Sequence, residues 1–359
     1  MSKTKHRATA SWITVGQGRW LFSLKIDRRA PPAALVILAA TTVVLVLSIS
    51  YGAYDISILE VARTLIGILP DDHPEGRSFN LVVFTFRLPR ILTAFLVGMA
   101  LATSGAILQG VTRNPLAEPG ILGVNAGAGL AAVSIIVWFK DIPMALLPFA
   151  AFGGALLVAL VIYVLAWEKG GSSPIRLILI GVAVAAMLTS ATAFMLVFGD
   201  IRDVQQAHIW LAGSVYGRNW EHVHTLAGWL IVLLPLAIFS ARQLNILAFG
   251  EDIALGLGLR VEAQRLFLLT ISVALAAVAV AVSGTIGFVG LVAPHITRRL
   301  TGPAHEGLIP IAALFGGALL VTADLIGRWV IAPSELPLGI VTALIGAPYF
   351  AYLLYKSSI

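Results

Sequence analysis

Three arginines and one aspartate are the ionisable residues whose spacing best suits a binding role. Arg87 and Arg90 flank a Leu-Pro pair, and Asp324 precedes Arg328 by four positions, which is about one helical turn. Guanidinium groups hold carboxylates through paired, charge-assisted hydrogen bonds, so this set suits capture of acidic residues on another protein. Arginines beside an apolar helix also anchor it at a membrane surface. Spacing alone leaves docking and anchoring open.

Glu118 and His295 are the other candidates for chemistry, and we expect structural roles for both. A carboxylate just before a helix start and an imidazole near a helix end each complement the helix dipole. The chain has no cysteine, which excludes thiolate metal sites and disulfides. It also lacks the Gly-x-x-x-x-Gly-Lys-Ser/Thr motif that holds nucleotide phosphates. We therefore predict no catalytic residue, no metal site and no cofactor bound by this chain.

The composition shows which elements must position these residues. Hydrophobic residues make up 58% of the chain, charged residues 12%, and the mean hydropathy is +0.93. A helix that crosses the hydrocarbon core of a bilayer needs about 20 apolar residues. Ten windows of this kind predict an all-α integral membrane protein, and they are centred on residues 33–52, 87–108, 120–138, 143–167, 174–198, 222–241, 265–283, 285–300, 308–329 and 336–355.

The segment before the first window predicts the orientation of the chain. Residues 1–30 carry seven Lys or Arg and one acid, which is typical of a cytoplasmic tail and of contact with anionic lipid rather than nucleic acid. The apolar run that follows has no convincing cleavage site, so we interpret it as a retained anchor. With ten spans, both termini are expected in the cytoplasm, and residues 31–359 form a single ten-helix transmembrane domain in the inner membrane.

An even split of ten spans gives two halves of five, and an odd number per half requires the second half to insert upside down. Such inverted repeats are typical of transporters that rock about a central path. The pairs Ser104-Gly105 and Ser283-Gly284, each followed by a Gly-rich segment, are weak internal evidence for this duplication. Clusters of small residues predict close helix packing.

The cytoplasmic segment of about residues 242–264 is too apolar for a solvated loop, yet Glu251 and Asp252 argue against another span. An apolar helix pair exposed to the cytosol is expected to bury its surface against a partner protein. A loop that lies on the membrane surface is the alternative.

Taken together and in order, a set of short motifs closely resembles the permease subunits of iron-siderophore and cobalamin ABC importers, the FecCD-like family. The resemblance covers roughly residues 35–355. It departs in a longer amino-terminal tail and at residues 301–306, where the family often has an Asp-His-Arg run. The motifs lie at residues 87–90, 104–106, 113–117, 120–123, 210–214, 250–258, 287–295, 323–324, 335–337 and 346–348.

The resemblance implies a type II ABC importer permease and assigns roles to individual residues. Arg87, Arg90 and Arg328 would dock a periplasmic or lipid-anchored binding protein. Asn114 and Leu116 would lie at the inner gate. The residues expected to couple the permease to its ATPase subunits are Gly250, Glu251, Ala254, Leu257 and Gly258.

The resemblance also implies the partners and the cargo. A second permease subunit, identical or homologous, would complete the pathway, and ATP with Mg would be bound by the separate ATPase chains. The expected cargo is an iron-siderophore chelate, with cobalamin or haem as alternatives. An ion-coupled secondary transporter is less favoured, because Asp324 is the one acid inside a predicted span and lies near its outer end. A membrane scaffold without transport is the other rival.

Overall fold

The computed structural model describes residues 12–15, 24–52, 54–68, 76–168 and 171–357. Most of the predicted basic tail, including Lys3, Lys5, Arg7 and Arg19, lies outside these residues. Two short antiparallel ribbons accompany the helices in the described part. They pair β1 (Trp12–Val15) with β2 (Leu24–Asp27) and β3 (Trp167–Glu168) with β4 (Gly171–Ser172).

The rest of the described chain is predominantly helical. The α-helices are α1 (Ala30–Ser50), α2 (Ile58–Leu65), α3 (Gly76–Asn80), α4 (Leu88–Thr112), α5 (Val124–Val133), α6 (Leu147–Ala166), α7 (Pro174–Val197), α8 (Ile201–Leu211), α9 (Trp220–Phe239), α10 (Ala241–Ala248), α11 (Glu251–Gly256), α12 (Val261–Ser283), α13 (Val289–Thr301), α14 (His305–Trp329) and α15 (Leu338–Ser357). π-Helices span Leu81–Arg87 and Ser134–Trp138, and 3-10 helices span Pro119–Leu122 and Met144–Leu146.

Eight helices of the described chain are long and apolar enough to cross a membrane. A ninth apolar helix, Val124–Trp138, is shorter, and α13 has only 13 residues. These two correspond to the third and eighth predicted windows. The multi-pass membrane architecture is therefore confirmed, whereas the number of ten crossings stays a prediction.

The second predicted span begins earlier than the sequence suggested. α3, the first π-helix and α4 form one continuous helical run, Gly76–Thr112. Pro89 lies in the first turn of α4, inside this continuous run. The preceding π-helix, in which Leu88 N–H bonds to Val83 O, supplies the wider turn that the proline ring requires.

The bundle has two ends that the contacts between α1 and α14 define. Ala30 at the start of α1 lies beside Gly307 at the start of α14, and Ser48 near the end of α1 contacts Arg328 near the end of α14, so these helices are parallel. We call the first end the α10 end, because α10 packs there, and the second the Arg87 end. The chain alternates between the two ends. At the α10 end lie the carboxyl termini of α4, α6 and α9 and the amino termini of α7, α12 and α14.

Two central helices, α4 and α12, form most of the core, and polar contacts join them at their crossing. Ser104 Oγ donates to Ser272 O at 2.6 Å, and Ser272 Oγ donates to Ser104 O at 2.9 Å. Both serines are fully buried. The exchange satisfies two hydroxyls inside an apolar core, where an unpaired hydroxyl would be unfavourable.

Glycines allow α4 to approach α13 and α14 at backbone distance. Gly98 faces Gly316, and Gly105 faces the backbone of Gly290, with no room for a side chain between them. Gly153, in contrast, has nothing within 4 Å of where its Cβ would lie. The Gly-rich segments noted in the sequence therefore include both tightly packed and open positions.

Gly105→Ala is expected to lower the thermal unfolding temperature of the detergent-solubilised protein, because the new methyl group would overlap the Gly290 carbonyl. Overpacking of this kind typically destabilises by about 1–3 kcal/mol. The matched control is Gly153→Ala, which gains the same helix propensity without a clash and should leave the unfolding temperature unchanged or higher. Equal behaviour of the two variants would contradict this account of the α4–α13 contact.

Candidate functional sites

Arg87 and Arg328 both bind the carboxyl-terminal end of α1. Arg87 donates to the carbonyl oxygens of Ile49, Ser50 and Tyr54, with a distance of 3.0 Å to Ser50. Arg328 donates to the carbonyls of Ser48 and Tyr51, both at 3.2 Å, and to the Ser48 hydroxyl. The last carbonyls of a helix have no partner within the helix and carry partial negative charge, so two guanidinium groups satisfy them well.

Arg90 is held by two acids from elsewhere in the chain. Its guanidinium contacts Asp324 Oδ1 at 2.9 and 3.1 Å and the Glu335 carboxylate at 2.9 and 3.2 Å. Asp324 Oδ2 also lies 3.1 Å from Arg328 Nε, which confirms the predicted pairing one turn apart. The ring of Tyr216 lies beside Arg90, 5.7 Å from ring centroid to guanidinium carbon.

The structure therefore brings the three predicted docking arginines together at the Arg87 end. Arg87 and Arg328 are each 8% exposed, and the Arg90 side chain is 13% exposed. All three have partners within the chain, which gives them a role in joining α1, α4 and α14 that their spacing did not suggest. These contacts do not test docking, which stays a prediction.

The predicted gate residues lie in a tight turn between α4 and the first 3-10 helix, at the α10 end. Arg113 ends α4 in the left-handed conformation, with φ of 52°. Asn114 Oδ1 then accepts from Leu116 N–H at 2.9 Å, and Asn114 O accepts from Ala117 N–H at 3.1 Å. The asparagine side chain thus fixes the turn, and both Asn114 and Leu116 are half-buried.

Glu118 joins this turn to the second half of the chain. It precedes the 3-10 helix, as predicted, but its carboxylate accepts from the backbone N–H of Phe288, immediately before α13, at 3.1 Å. Phe288 has φ of 68°, and the carboxylate lies where the unpaired N–H groups of α13 begin. Burial raises the pKa of Glu118. His295 lies within α13, with its ring packed edge-on against Tyr349.

The predicted coupling segment forms two short helices, α10 and α11. Gly250 separates them with φ of 107°, and Gly258 follows α11 with φ of 81°, conformations that favour glycine. Ala254 is fully buried against the bundle, whereas Leu257 is 65% exposed. Three further large apolar side chains on this segment are exposed, namely Phe249, Ile253 and Leu255. This set, the α11 patch, is the unpartnered apolar surface that the sequence predicted.

Glu251 connects α11 to α12 and to the gate turn. Its carboxylate lies 2.6 Å from Arg265 Nη2 and 3.8 Å from Arg113 Nη2. Arg265 is only 2% exposed, and it also contacts Glu262 and the Ser172 carbonyl. Sequence analysis did not identify Arg265, although an arginine four residues into an apolar helix is an available signal.

α10 is fastened to the start of α14 by three polar residues. Asn245 Nδ2 donates to Glu306 Oε2 at 2.6 Å, and Asn245 Oδ1 accepts from the backbone and ring N–H groups of His305 at 3.0 and 2.8 Å. His305 and Glu306 belong to the segment where the sequence departs from the family pattern. α10 and α11 are thus bound to α14 and α12 respectively.

The chain is similar to known proteins in both sequence and fold. A model of the FecCD transport family matches residues 40–356. The iron(3+)-hydroxamate import system permease protein FhuG of Bacillus subtilis is 44% identical over 336 residues, which cover 90% of this chain and 98% of that protein. The Fe(3+)-citrate import system permease protein YfmE of Bacillus subtilis is 45% identical, covering 91% of this chain and 96% of that protein.

A solved structure shows the same architecture. A metal-chelate type ABC transporter in an inward-facing conformation superposes with a TM-score of 0.80 at 30% sequence identity. The match covers 91% of this chain and 99% of the other. The similarity therefore extends through the whole helical bundle, including both ends at which the candidate sites lie.

Proposed function

The chain belongs to the FecCD transport family, and on that premise we propose that it is the membrane-spanning permease subunit of an ABC importer that moves an iron-siderophore chelate from a binding protein into the cytoplasm. The permease does not hydrolyse ATP itself. Hydrolysis occurs in separate ATPase subunits, which bind ATP and Mg.

The observation that carries this proposal is similarity along nearly the whole length of two iron-chelate import permeases. Each of these relatives is at least 44% identical to this chain, and the match covers at least 96% of the relative's own length. The exposed α11 patch independently supports a cytoplasmic partner that supplies the energy.

In the proposed architecture the chain crosses the inner membrane ten times, in two inverted halves of five helices, with both termini in the cytoplasm. The eight long helices, Val124–Trp138 and α13 together supply the ten crossings. The reciprocal Ser104 and Ser272 hydrogen bonds between α4 and α12 support a local twofold relation between the halves. The α10 end is cytoplasmic, and the Arg87 end faces outward.

We assign three sites within this arrangement. Arg87, Arg90 and Arg328 form the surface on which an acidic binding protein docks. Asn114 and Leu116 lie at the inner gate. Gly250, Glu251, Ala254, Leu257 and Gly258 form the coupling element, in which Leu257 contacts the ATPase while buried Ala254 holds α11 against the bundle.

The mechanism is conformational, and polar contacts link its parts. Closure of the ATPase pair on ATP pushes α11, and Glu251 passes the movement to Arg265 in α12 and to Arg113 beside the gate turn. Glu118 ties that turn to the start of α13 in the other half of the chain. A second permease subunit, identical or homologous, completes the pathway between the two chains.

Iron-siderophore cargo is favoured by the two relatives, whose names specify ferric hydroxamate and ferric citrate. Cobalamin or haem is the second candidate, and a cobalamin import permease that is 42% identical over 293 residues supports cobalamin. A secondary transporter is disfavoured, because Asp324 is 2% exposed and paired with Arg90 and Arg328 rather than available to a coupling ion.

Transport is tested by reconstituting the permease with its ATPase and binding protein in vesicles. Uptake of radioactive ferric siderophore should require all three components and ATP. Omission of the ATPase should reduce uptake to the level of empty vesicles, since nothing in the permease supplies energy. Full uptake without the ATPase would refute the importer assignment, and uptake of cobalamin but not iron chelate would change the cargo.

A further inference from the structure

A cavity of about 550 Å³ lies at the Arg87 end and takes no part in the proposed transport. It is enclosed by the first turns of α6 and α9, the last turns of α12 and one face of α8. Its volume is within the range of known ligand sites. The charges and donors that line it indicate which ligand it suits.

Arg218, in the loop between α8 and α9, brings a positive charge to the wall of the cavity. Its Nη1 donates to His222 Nε2 at 3.3 Å, but its Nε is buried and has no hydrogen-bond partner. Burial lowers the pKa of Arg218. No carboxylate of the described residues lies within 4 Å of this guanidinium. The guanidinium is only partly exposed and has no carboxylate partner among the described residues, so an anion is the ligand that suits it.

His222 does not supply the missing charge. A guanidinium can only donate hydrogen bonds, so His222 Nε2 must be the unprotonated nitrogen that accepts from Arg218. With Nε2 accepting, the other nitrogen, Nδ1, carries the proton and donates to Asn219 Oδ1 at 2.6 Å, in preference to the Asn219 backbone N–H that lies 3.3 Å from it. This arrangement leaves the imidazole neutral, and its role is to orient Arg218 toward the cavity.

A second unsatisfied donor belongs to the same wall. Trp210 Nε1 has no hydrogen-bond partner among the described residues, and Trp210 lines the cavity together with Arg218. Trp210 Nε1 and Arg218 Nε are both inaccessible, which leaves the terminal nitrogens of the guanidinium as the donors for a ligand in the cavity. The acid nearest to this pair in sequence, Glu221, also lines the cavity but is exposed.

The remaining walls are apolar and lead to the side of the bundle. Phe152 and Trp229 pack with their ring centroids 5.4 Å apart, and Val278 and Val282 of α12 form the floor. Phe149 lines the cavity and is 73% exposed. The opening therefore lies between membrane helices α6 and α9. A ligand that fits has an anionic head and an apolar tail.

We propose that this cavity binds an anionic phospholipid of the adjoining leaflet. The phosphate accepts hydrogen bonds from the Arg218 guanidinium, and one acyl chain passes between Phe149 and Trp229 toward the bilayer. The lateral opening favours a lipid over a soluble anion, because a lipid reaches the cavity from the membrane and its tail remains among apolar side chains.

The test measures phosphatidylglycerol retained by the full-length permease in native mass spectrometry after mild detergent extraction. Arg218→Gln should reduce retention by roughly tenfold or more, since a charge-assisted phosphate contact is lost. Arg218→Lys keeps the charge and should retain most of the lipid. The matched control is Arg202→Gln, because Arg202 is exposed on α8 in the same segment and should have no effect.

Two added ligands separate the lipid from other anions. Inorganic phosphate at millimolar concentration should leave the bound lipid in place, whereas displacement would show a site for a free anion and overturn the proposal. Displacement by the ferric chelate would reassign the cavity to cargo. Equal retention by wild type and Arg218→Gln, with matching thermal unfolding curves, would likewise refute lipid binding at Arg218.

Discussion

Replacing Leu257 with aspartate is expected to detach the permease from its ATPase and to abolish ATP-driven uptake. Leu257 is 65% exposed at the end of α11, and its neighbours Ile253 and Leu255 extend the α11 patch. If the patch is the core of an interface, a buried carboxylate there would remain unpaired. Loss of a central contact of this kind weakens association by about 2 kcal/mol or more, which is roughly 30-fold.

The measurement is co-purification of the ATPase with the permease, followed by uptake in vesicles. Ile68→Asp is the matched control, because Ile68 is 64% exposed but follows α2 at the opposite end of the bundle. This control should keep both the ATPase and transport. Normal ATPase recovery with Leu257→Asp would show that α11 contacts the membrane surface instead, the alternative that the sequence left open.

Opposite changes in receptor affinity are expected from Arg90→Gln and Glu335→Gln. Arg90 is shared between Asp324 and Glu335, and Glu335 is the more exposed of the two acids. Removing the arginine should weaken binding of the substrate-binding protein about tenfold, because a charge-assisted contact is lost. Removing Glu335 frees part of the guanidinium for an acidic residue of the receptor and should strengthen binding several-fold.

Binding of the purified receptor to the permease in nanodiscs measures both effects. If the contacts of Arg90 are purely structural, both variants will be less stable and their affinities for the receptor will not shift in opposite directions. That result would contradict docking at Arg90. Arg63→Gln is the control, since Arg63 is exposed on α2 at the same end. Reversing Arg87 and Arg90 together to glutamate should abolish docking while the ATPase stays bound at the α10 end.

The Arg87 and Arg328 contacts make that double reversal a less specific probe than the single Arg90 substitution. Arg87 satisfies carbonyls at the end of α1, so a glutamate there would place a negative charge against a helix carboxyl terminus. A single Arg90→Gln change leaves α1 in place. Arg90 is thus the arginine whose charge can reach a partner, whereas Arg87 and Arg328 hold α1 in the bundle.

Hydrophobic composition and segment length were sufficient to predict the membrane class, most helix positions and the short apolar pair α10 and α11. These features depend on local sequence, because each membrane helix must satisfy its own backbone hydrogen bonds along one continuous apolar run. The second span was placed too late, since Arg87 interrupts the apolar pattern. Its guanidinium is tolerated inside Gly76–Thr112 because it binds α1 carbonyls that lie elsewhere in the sequence.

Repeated membrane crossing, membership among import permeases and an exposed apolar segment in the second half could all be inferred from the sequence alone. The pairing of Ser104 with Ser272, the contact of Glu251 with buried Arg265 and the position of Arg218 at a cavity became visible only in the folded chain. The reason is physical. Hydrophobicity is a property of each segment, whereas the partner of a buried polar group depends on which helices pack together, and that packing joins residues far apart in the chain.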